Sequence, residues 1–193
     1  MKWITMQMTI VLALVGCEGA EERCNIARID ASDAWTPVAE TLVPRCTLFE
    51  MPEWALARQD AGRVGQRTRW AEVVAVELAA CVDEYSPVLR NACVTIPAAR
   101  ARATGGAVAA REASHDADQA LERLLAAAPA FAACLTRIEE HAVDSESRDR
   151  MAPLLLAARA HTEAIDGGGL GTLRSASLAA SEASFAACQA VDP

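Results

Sequence analysis

The chain has 193 residues, with 26 acidic side chains against 18 basic ones and a formal net charge of −8. That excess of acid gives no footing for nucleic-acid binding. Hydrophobic residues make up 52% of the chain but aromatic ones only 4%, so much of the apolar content is alanine, which forms helix well but buries little area per residue.

Lys2 opens the chain with a positive charge. Trp3 to Val15 form an apolar run of 13 residues, interrupted only by Thr5, Gln7 and Thr9. A permanent membrane helix needs about 20 apolar residues, so this run has the length of a secretory signal. It ends in Leu14-Val15-Gly16-Cys17, which resembles the lipobox of bacterial lipoproteins: Leu at −3, a branched residue at −2, Gly at −1 and Cys at +1. The resemblance covers residues 1–17 and says nothing of the mature domain. It implies that residues 1–16 are a cleaved signal peptide. It also implies that Cys17 carries a thioether-linked diacylglycerol and becomes the acylated N-terminus. The membrane is then a partner through the lipid anchor, since two or more acyl chains anchor stably at about 0.8 kcal/mol per buried CH₂. Residue +2 is Glu18. In the Gram-negative sorting rule Asp at +2 retains a lipoprotein at the inner membrane, so the resemblance favours the outer membrane, periplasmic or surface face left open.

Six cysteines follow Cys17: Cys24, Cys46, Cys81, Cys93, Cys134 and Cys188. An even number in an exported chain reads as three disulfides. Of the many connectivities open to them, the sequential one is expected: Cys24–Cys46, Cys81–Cys93 and Cys134–Cys188. Each ring would stabilise by about 3 to 4 kcal/mol on the chain-entropy account. Cys-x-x-Cys and Cys-x-x-Cys-His do not occur, so no metal and no cofactor is expected.

Residues 17–23 read as a short tether, whose six residues after Cys17 reach at most about 20 Å, and residues 24–193 as one helical domain. Ser32-Asp33 looks like a helix cap ahead of Trp35, Val38, Leu42 and Val43, with Pro37 in the first turn and Pro44 as the stop or kink. Met51-Pro52-Glu53-Trp54 opens a second short helix that Gly62 and Gly65 end. From Gln66 to Tyr85, the residues Trp70, Val74, Leu78, Cys81 and Tyr85 fall on one helical face. Ser86-Pro87 is expected to start the next helix, making a corner that brings Cys81 and Cys93 together. Gly105-Gly106 breaks the chain again.

Residues 107–128 place Ala113, Ala117, Ala120, Leu121, Leu124, Leu125 and Ala128 on one face. Pro129 kinks or restarts that helix, and Phe131, Cys134, Leu135 and Ile138 extend its face to about Ala142. Asp144-Ser145-Glu146-Ser147 reads as turn and cap. Met151, Leu154, Leu155, Ala158, Thr162 and Ile165 mark a further amphipathic helix. Gly167 to Gly171 is a flexible break, and the last helix runs from about Thr172 to Ala190 with Leu173, Leu178, Phe185 and Cys188 inward. No alternating stretch reads as a strand. The fold class is therefore all-α: a disulfide-stapled helical bundle or stacked helical hairpins. A weak repeat, Leu78-Ala79-Ala80-Cys81, Phe131-Ala132-Ala133-Cys134 and Phe185-Ala186-Ala187-Cys188, suggests a helical unit recurring along the chain, although chance similarity is a rival in so alanine-rich a sequence.

Candidate chemistry is sparse. His141 beside Glu139 and Glu140, and His161 beside Glu163, look ligand-rich. On antiparallel helices they stand roughly 15 Å apart, too far to share a metal ion. With His115 they read as exposed helix-surface histidines. Ser175, Ser177, Ser181 and Ser184 lack a nucleophile elbow and a His/Asp pairing. The glycine run lacks the Lys-Ser/Thr of a phosphate loop, and Asp116 and Asp118 fall on a face that reads as solvated. Eight arginines against five acids between residues 58 and 111 read as a solvated face matched by acidic neighbours. No constellation reads as an enzyme active site. The expectation is a lipid-anchored envelope protein that binds an unidentified envelope protein or acts structurally. The alternative is a periplasmic ligand-binding or sensor protein with a pocket between helices near Trp54 and Trp70.

Overall fold

A computed structural model describes residues 2–50, 54, 76–141, 145–167 and 169–192. Among the described residues the chain forms α1 (Lys2–Leu42), α2 (Val76–Arg102), α3 (Ala107–His141), α4 (Ser145–Gly167) and α5 (Leu170–Cys188). Two 3₁₀ turns, Val43–Arg45 and Leu48–Glu50, follow α1. No strand occurs among them, and three disulfides cross-link the helices. The chain is an all-α, disulfide-stapled bundle. Helix α1 lies along α5, α2 along α3, and the two pairs join through α1–α2 and α3–α5 contacts; α4 flanks α3. No helix among the described residues is long and apolar enough to cross a membrane. The short helix expected from Met51 and the Trp70–Val74 part of the next face lie outside the described residues, apart from Trp54.

The helices are longer than the prolines in the sequence suggest. Pro37, Pro87, Pro97, Pro129 and Pro153 all lie inside helices. The expected cap at Ser32-Asp33, the corner at Ser86-Pro87 and the restart at Pro129 are not there. An interior proline costs about 3 kcal/mol through a lost hydrogen bond and a ring clash. Three of these prolines lie among side chains the bundle buries: Trp35, Val38 and Leu42 around Pro37, Tyr85 and Leu89 around Pro87, Ala128 and Phe131 around Pro129. Burying one large apolar side chain contributes about 1.5 to 3 kcal/mol, comparable to the cost of one proline. Residues 18–23 are likewise helical. They span about 9 Å, less than half the reach of an extended tether.

Unbroken helices overturn the sequential disulfide pairing. Cys81 and Cys93 sit on one helix, 12 residues and about 18 Å apart along its axis, whereas bridged Cα atoms lie within about 7 Å. Cys24 is 18 residues, about 27 Å along the axis, before the end of α1 at Leu42, and Cys46 lies beyond that end. The disulfides are Cys24–Cys188, Cys46–Cys93 and Cys81–Cys134, with Cα separations of 4.7, 5.8 and 6.2 Å. Each joins two elements: α1 to the end of α5, the turn after α1 to α2, and α2 to α3. Two of the three repeat motifs thus face each other through Cys81–Cys134. The third stands at the far seam with Cys24, so the motifs do not form three equivalent layers.

The α1–α5 seam is built from small residues. Leu173, Leu178 and Phe185, expected inward, are only half-buried, whereas Ser177, Ser181 and Ser184 are buried with Leu170 and Cys188. Buried hydroxyls are tolerated where they are bonded, as those of Ser177 and Ser181 are. Ser177 Oγ lies 2.7 Å from the Ala34 carbonyl oxygen across the seam and 2.8 Å from the Leu173 carbonyl oxygen on its own helix. The fully buried Trp35 donates its indole N–H to Ser114 Oγ (3.2 Å) and Ser181 Oγ (3.1 Å). Ser114 donates to Ser181 at 2.7 Å, and Ser181 donates to the Ser177 carbonyl at 2.9 Å. Gly169 precedes α5 at φ 65°, a left-handed conformation that glycine adopts without strain. Past α5, the Asp192 carboxylate accepts from the Ala107 N–H at the start of α3 and from Arg28 of α1, both at 2.9 Å.

Peptide mapping without reductant is expected to recover the three cross-helix pairs, and recovery of Cys81 joined to Cys93 would contradict the fold. Replacing Cys24 and Cys188 together by Ala removes the widest ring, a separation of 164 residues against 47 and 53. It should lower stability by about 4 to 5 kcal/mol, more than removing either other bridge. Trp35→Phe deletes the donor shared by Ser114 and Ser181 and should cost about 1 to 3 kcal/mol in a denaturant titration.

Candidate functional site

Helix α4 buries Met151, Leu154, Leu155, Ala158, His161, Thr162 and Ile165, a run of three- and four-residue steps that places every one of them on the same face. His161 is therefore not the surface histidine expected. It is only 3% exposed, and its Nε2 shares a hydrogen bond of 2.8 Å with the Tyr85 hydroxyl on α2. The imidazole stands edge-on to the phenol ring, centroids 5.6 Å apart. Three of its neighbours on α4, Leu154, Ala158 and Ile165, are steps of seven, three and four residues away, and that periodicity is the sequence signal that marks it as inward.

Four elements converge here. Tyr85 stacks on Phe131 of α3 at 4.4 Å and 4°. Phe49, from the second 3₁₀ turn, stands edge-on to Tyr85, Phe131 and Trp54 at 6.2, 5.9 and 5.3 Å. Such contacts contribute about 0.5 to 1.5 kcal/mol each beyond area burial. Cys81 lies one turn before Tyr85 and Cys134 one turn after Phe131, so their disulfide clamps the two helices beside the ring stack. A small cavity of about 120 Å³ lies against this clamp, lined by Cys81, Glu84, Tyr85, Phe131 and Cys134.

Beyond His161, a larger pocket of about 350 Å³ opens between the turns after α1 and the face of α4. Pro44, Arg45, Thr47, Leu48, Ala157, Ala160 and His161 line it. Arg45 is half-buried and donates to the Thr41 carbonyl. Burial first, and then the nearby Arg45 charge, lower the His161 pKa from 6.5 to about 4, so its imidazole is neutral at pH 7. Its Nδ1 is buried with no hydrogen-bond partner. Neutral imidazole at this pKa is a poor base near neutrality, and both its nitrogens are buried, so the charged group that lines the pocket is Arg45.

The other expected residues are dispersed. His141 is exposed and pairs with Glu77 at 3.0 Å. His115 is exposed and pairs with Glu182 at 2.8 Å, where Arg111 also bonds at 3.0 Å and holds the Glu182 carboxyl below its usual range. Arg111 in turn covers the half-buried Phe185 ring. Asp118 is buried, not solvated: Arg174 grips it through two bonds of 2.5 and 3.0 Å and reaches Glu122 as well. Its two oxygens explain the raised Arg174 pKa. Asp116 is exposed. No cluster of three or more His, Cys, Asp or Glu side chains among the described residues is placed to hold a metal ion. Cys24, Cys46, Cys81, Cys93, Cys134 and Cys188 are all in disulfides. The side chain of Cys17 and the whole of Trp70 lie outside the described residues.

The buried histidine makes stability depend on pH. Its pKa is about 4 in the folded chain and about 6.5 unfolded, so between those values the unfolded state binds the extra proton. Stability present above pH 6.5 is therefore lost as the pH falls towards 4, by up to about 3 kcal/mol. Denaturant titrations across that window should show the slope, and His161→Leu should flatten it.

Comparison of the chain with protein-family models, curated proteins and solved structures finds no match.

Proposed function

We propose that the chain is a lipid-anchored cell-envelope protein whose helical domain acts by binding, with an envelope protein as partner. The count of cysteines carries this reading: three disulfides take six of the seven, and the remaining one, Cys17, ends the Leu14-Val15-Gly16-Cys17 lipobox resemblance. Three structural disulfides suit an oxidising compartment outside the cytoplasm, which agrees with export. With residues 18–23 helical, Cys17 stands seven residues and about 10 Å from Cys24. An acyl group there holds the Cys24–Cys188 end of the bundle close to the bilayer. The +2 residue Glu18 favours the outer membrane.

A second reading is a ligand-binding or sensor protein. The observation that favours it is the pocket beside His161 and Arg45, which lies between the turns after α1 and α4.

Metabolic labelling with a clickable fatty acid should mark the wild-type chain and place it in the detergent phase on Triton X-114 partition. The Cys17→Ser variant should lose the label and move to the aqueous phase. A variant that keeps both label and membrane retention would sink the anchor.

A further inference from the structure

We propose that His161 is an acid-sensitive latch for helix α4: when its imidazole takes up a proton, α4 lifts from the bundle while α1, α2, α3 and α5 stay together. The latch is independent of the lipid anchor and of any ligand the domain binds.

Two observations carry it. The first is the cross-linking. The disulfides tie α1 to α5, the turn after α1 to α2, and α2 to α3. Residues 145–167 contain no cysteine, so α4 is held to the other helices by non-covalent contact alone. It packs on α3 and touches α5 and the second 3₁₀ turn more lightly. A helix held in this way can open on its own while the cross-linked remainder stays closed.

The second observation is the place of His161 in the packed face of α4, between Ala158 and Ile165. Its Nε2 is bonded to the Tyr85 hydroxyl, and its Nδ1 is buried with no partner. A protonated imidazole carries an N–H on both nitrogens. The Nε2–H can still donate to the Tyr85 oxygen. The Nδ1–H becomes a charged donor enclosed without an acceptor, which is far costlier than the neutral ring. The ring is wedged against Tyr85, which Phe131 and Phe49 hold in turn, so it reaches water by moving with its helix.

The surrounding charges do not relieve that cost. The turn after α1 supplies Arg45, a like charge that opposes protonation, and α2 supplies the Tyr85 phenol. Glu84 beside Tyr85, Glu50 in the second 3₁₀ turn and Glu163 on α4 itself are exposed. Glu139 of α3 binds Arg159 of α4, and Arg174 of α5 is taken by Asp118 and Glu122. Among the described residues no carboxylate bonds to the His161 ring. The imidazole titrates at about 4 when packed and near 6.5 once released. Between those values the lifted form is the one that holds the proton, so its population rises as the pH falls, roughly fiftyfold from pH 7.5 to 4.5.

The test is amide hydrogen exchange on the full chain with its disulfides intact, at pH 7.5 and 4.5, each corrected for the intrinsic exchange rate. Amides of residues 151–165 should lose protection roughly fiftyfold on acidification, while those of α1, α2, α3 and α5 change several-fold at most. His161→Gln, which cannot take up the proton, should abolish the selective loss. Arg45→Met, which leaves the packed face of α4 intact, should shrink it. If all the helices lose protection together, the opening is global and the latch is overturned, although the histidine still makes stability depend on pH. If α4 keeps its protection at pH 4.5, the ring reaches water without its helix and the latch is wrong. An equal loss in His161→Gln would assign the opening to another group.

Discussion

The bundle depends on how closely α1 and α5 approach. A chain this rich in alanine and poor in aromatic residues has little apolar area to bury per helix, so it gains from bringing backbones near each other. The buried serines of α5 allow that approach. Ser177 reaches the Ala34 carbonyl of α1, and Trp35 fills the space between α1, α3 and α5 with its only polar atom satisfied by two hydroxyls. A larger residue at Ser177 or Ser181 would part the helices, and an apolar one of the same size at Ser181 would leave the indole N–H with one acceptor fewer. The seam is therefore specified by polar geometry as much as by burial.

On the other side of the molecule the same shortage of area is met by aromatic rings. Phe49, Trp54, Tyr85 and Phe131 gather where α2, α3 and the turns after α1 converge, and Cys81–Cys134 holds α2 and α3 at that level. His161 is drawn into this cluster from α4. Its polar edge is half satisfied by Tyr85, and its titration is displaced by burial and by Arg45. This buried histidine thus arises where the helix outside the main pairs touches the core.

Much of the helical content was legible in the sequence. The face of Leu78, Cys81 and Tyr85, that of Leu121, Leu124 and Phe131, and that of Met151, Leu154, Ala158 and Ile165 are all buried as their spacing indicates. The stop before Pro44 and the breaks at Gly105-Gly106 and Gly167 to Gly171 were legible too; the boundaries expected near Pro37, Pro87 and Pro129 were not there, because those prolines weigh against helix locally while the packing that offsets them is tertiary. The disulfide pairing followed from those boundaries: a corner at Pro87 makes Cys81 and Cys93 neighbours, and a straight helix separates them. The inward side of α5 was misread for a different reason. Serine is usually exposed, and only partners from α1 and α3, distant in sequence, make its burial cheap. Asp118 and His161 share that logic, since Arg174 and Tyr85 are supplied by other helices. Beside His161, the periodicity of α4 carried the signal, and its residue type masked it.

The widest disulfide has a consequence for survival among proteases. Cys24–Cys188 spans every peptide bond between those two residues, so one cut anywhere in that interval leaves both products covalently attached. Cys46–Cys93 and Cys81–Cys134 overlap inside it, and some doubly nicked forms are retained as well. A chain clipped in an exposed turn would keep its mass until reduced, and its helices would remain tethered at the concentrations needed to stay folded.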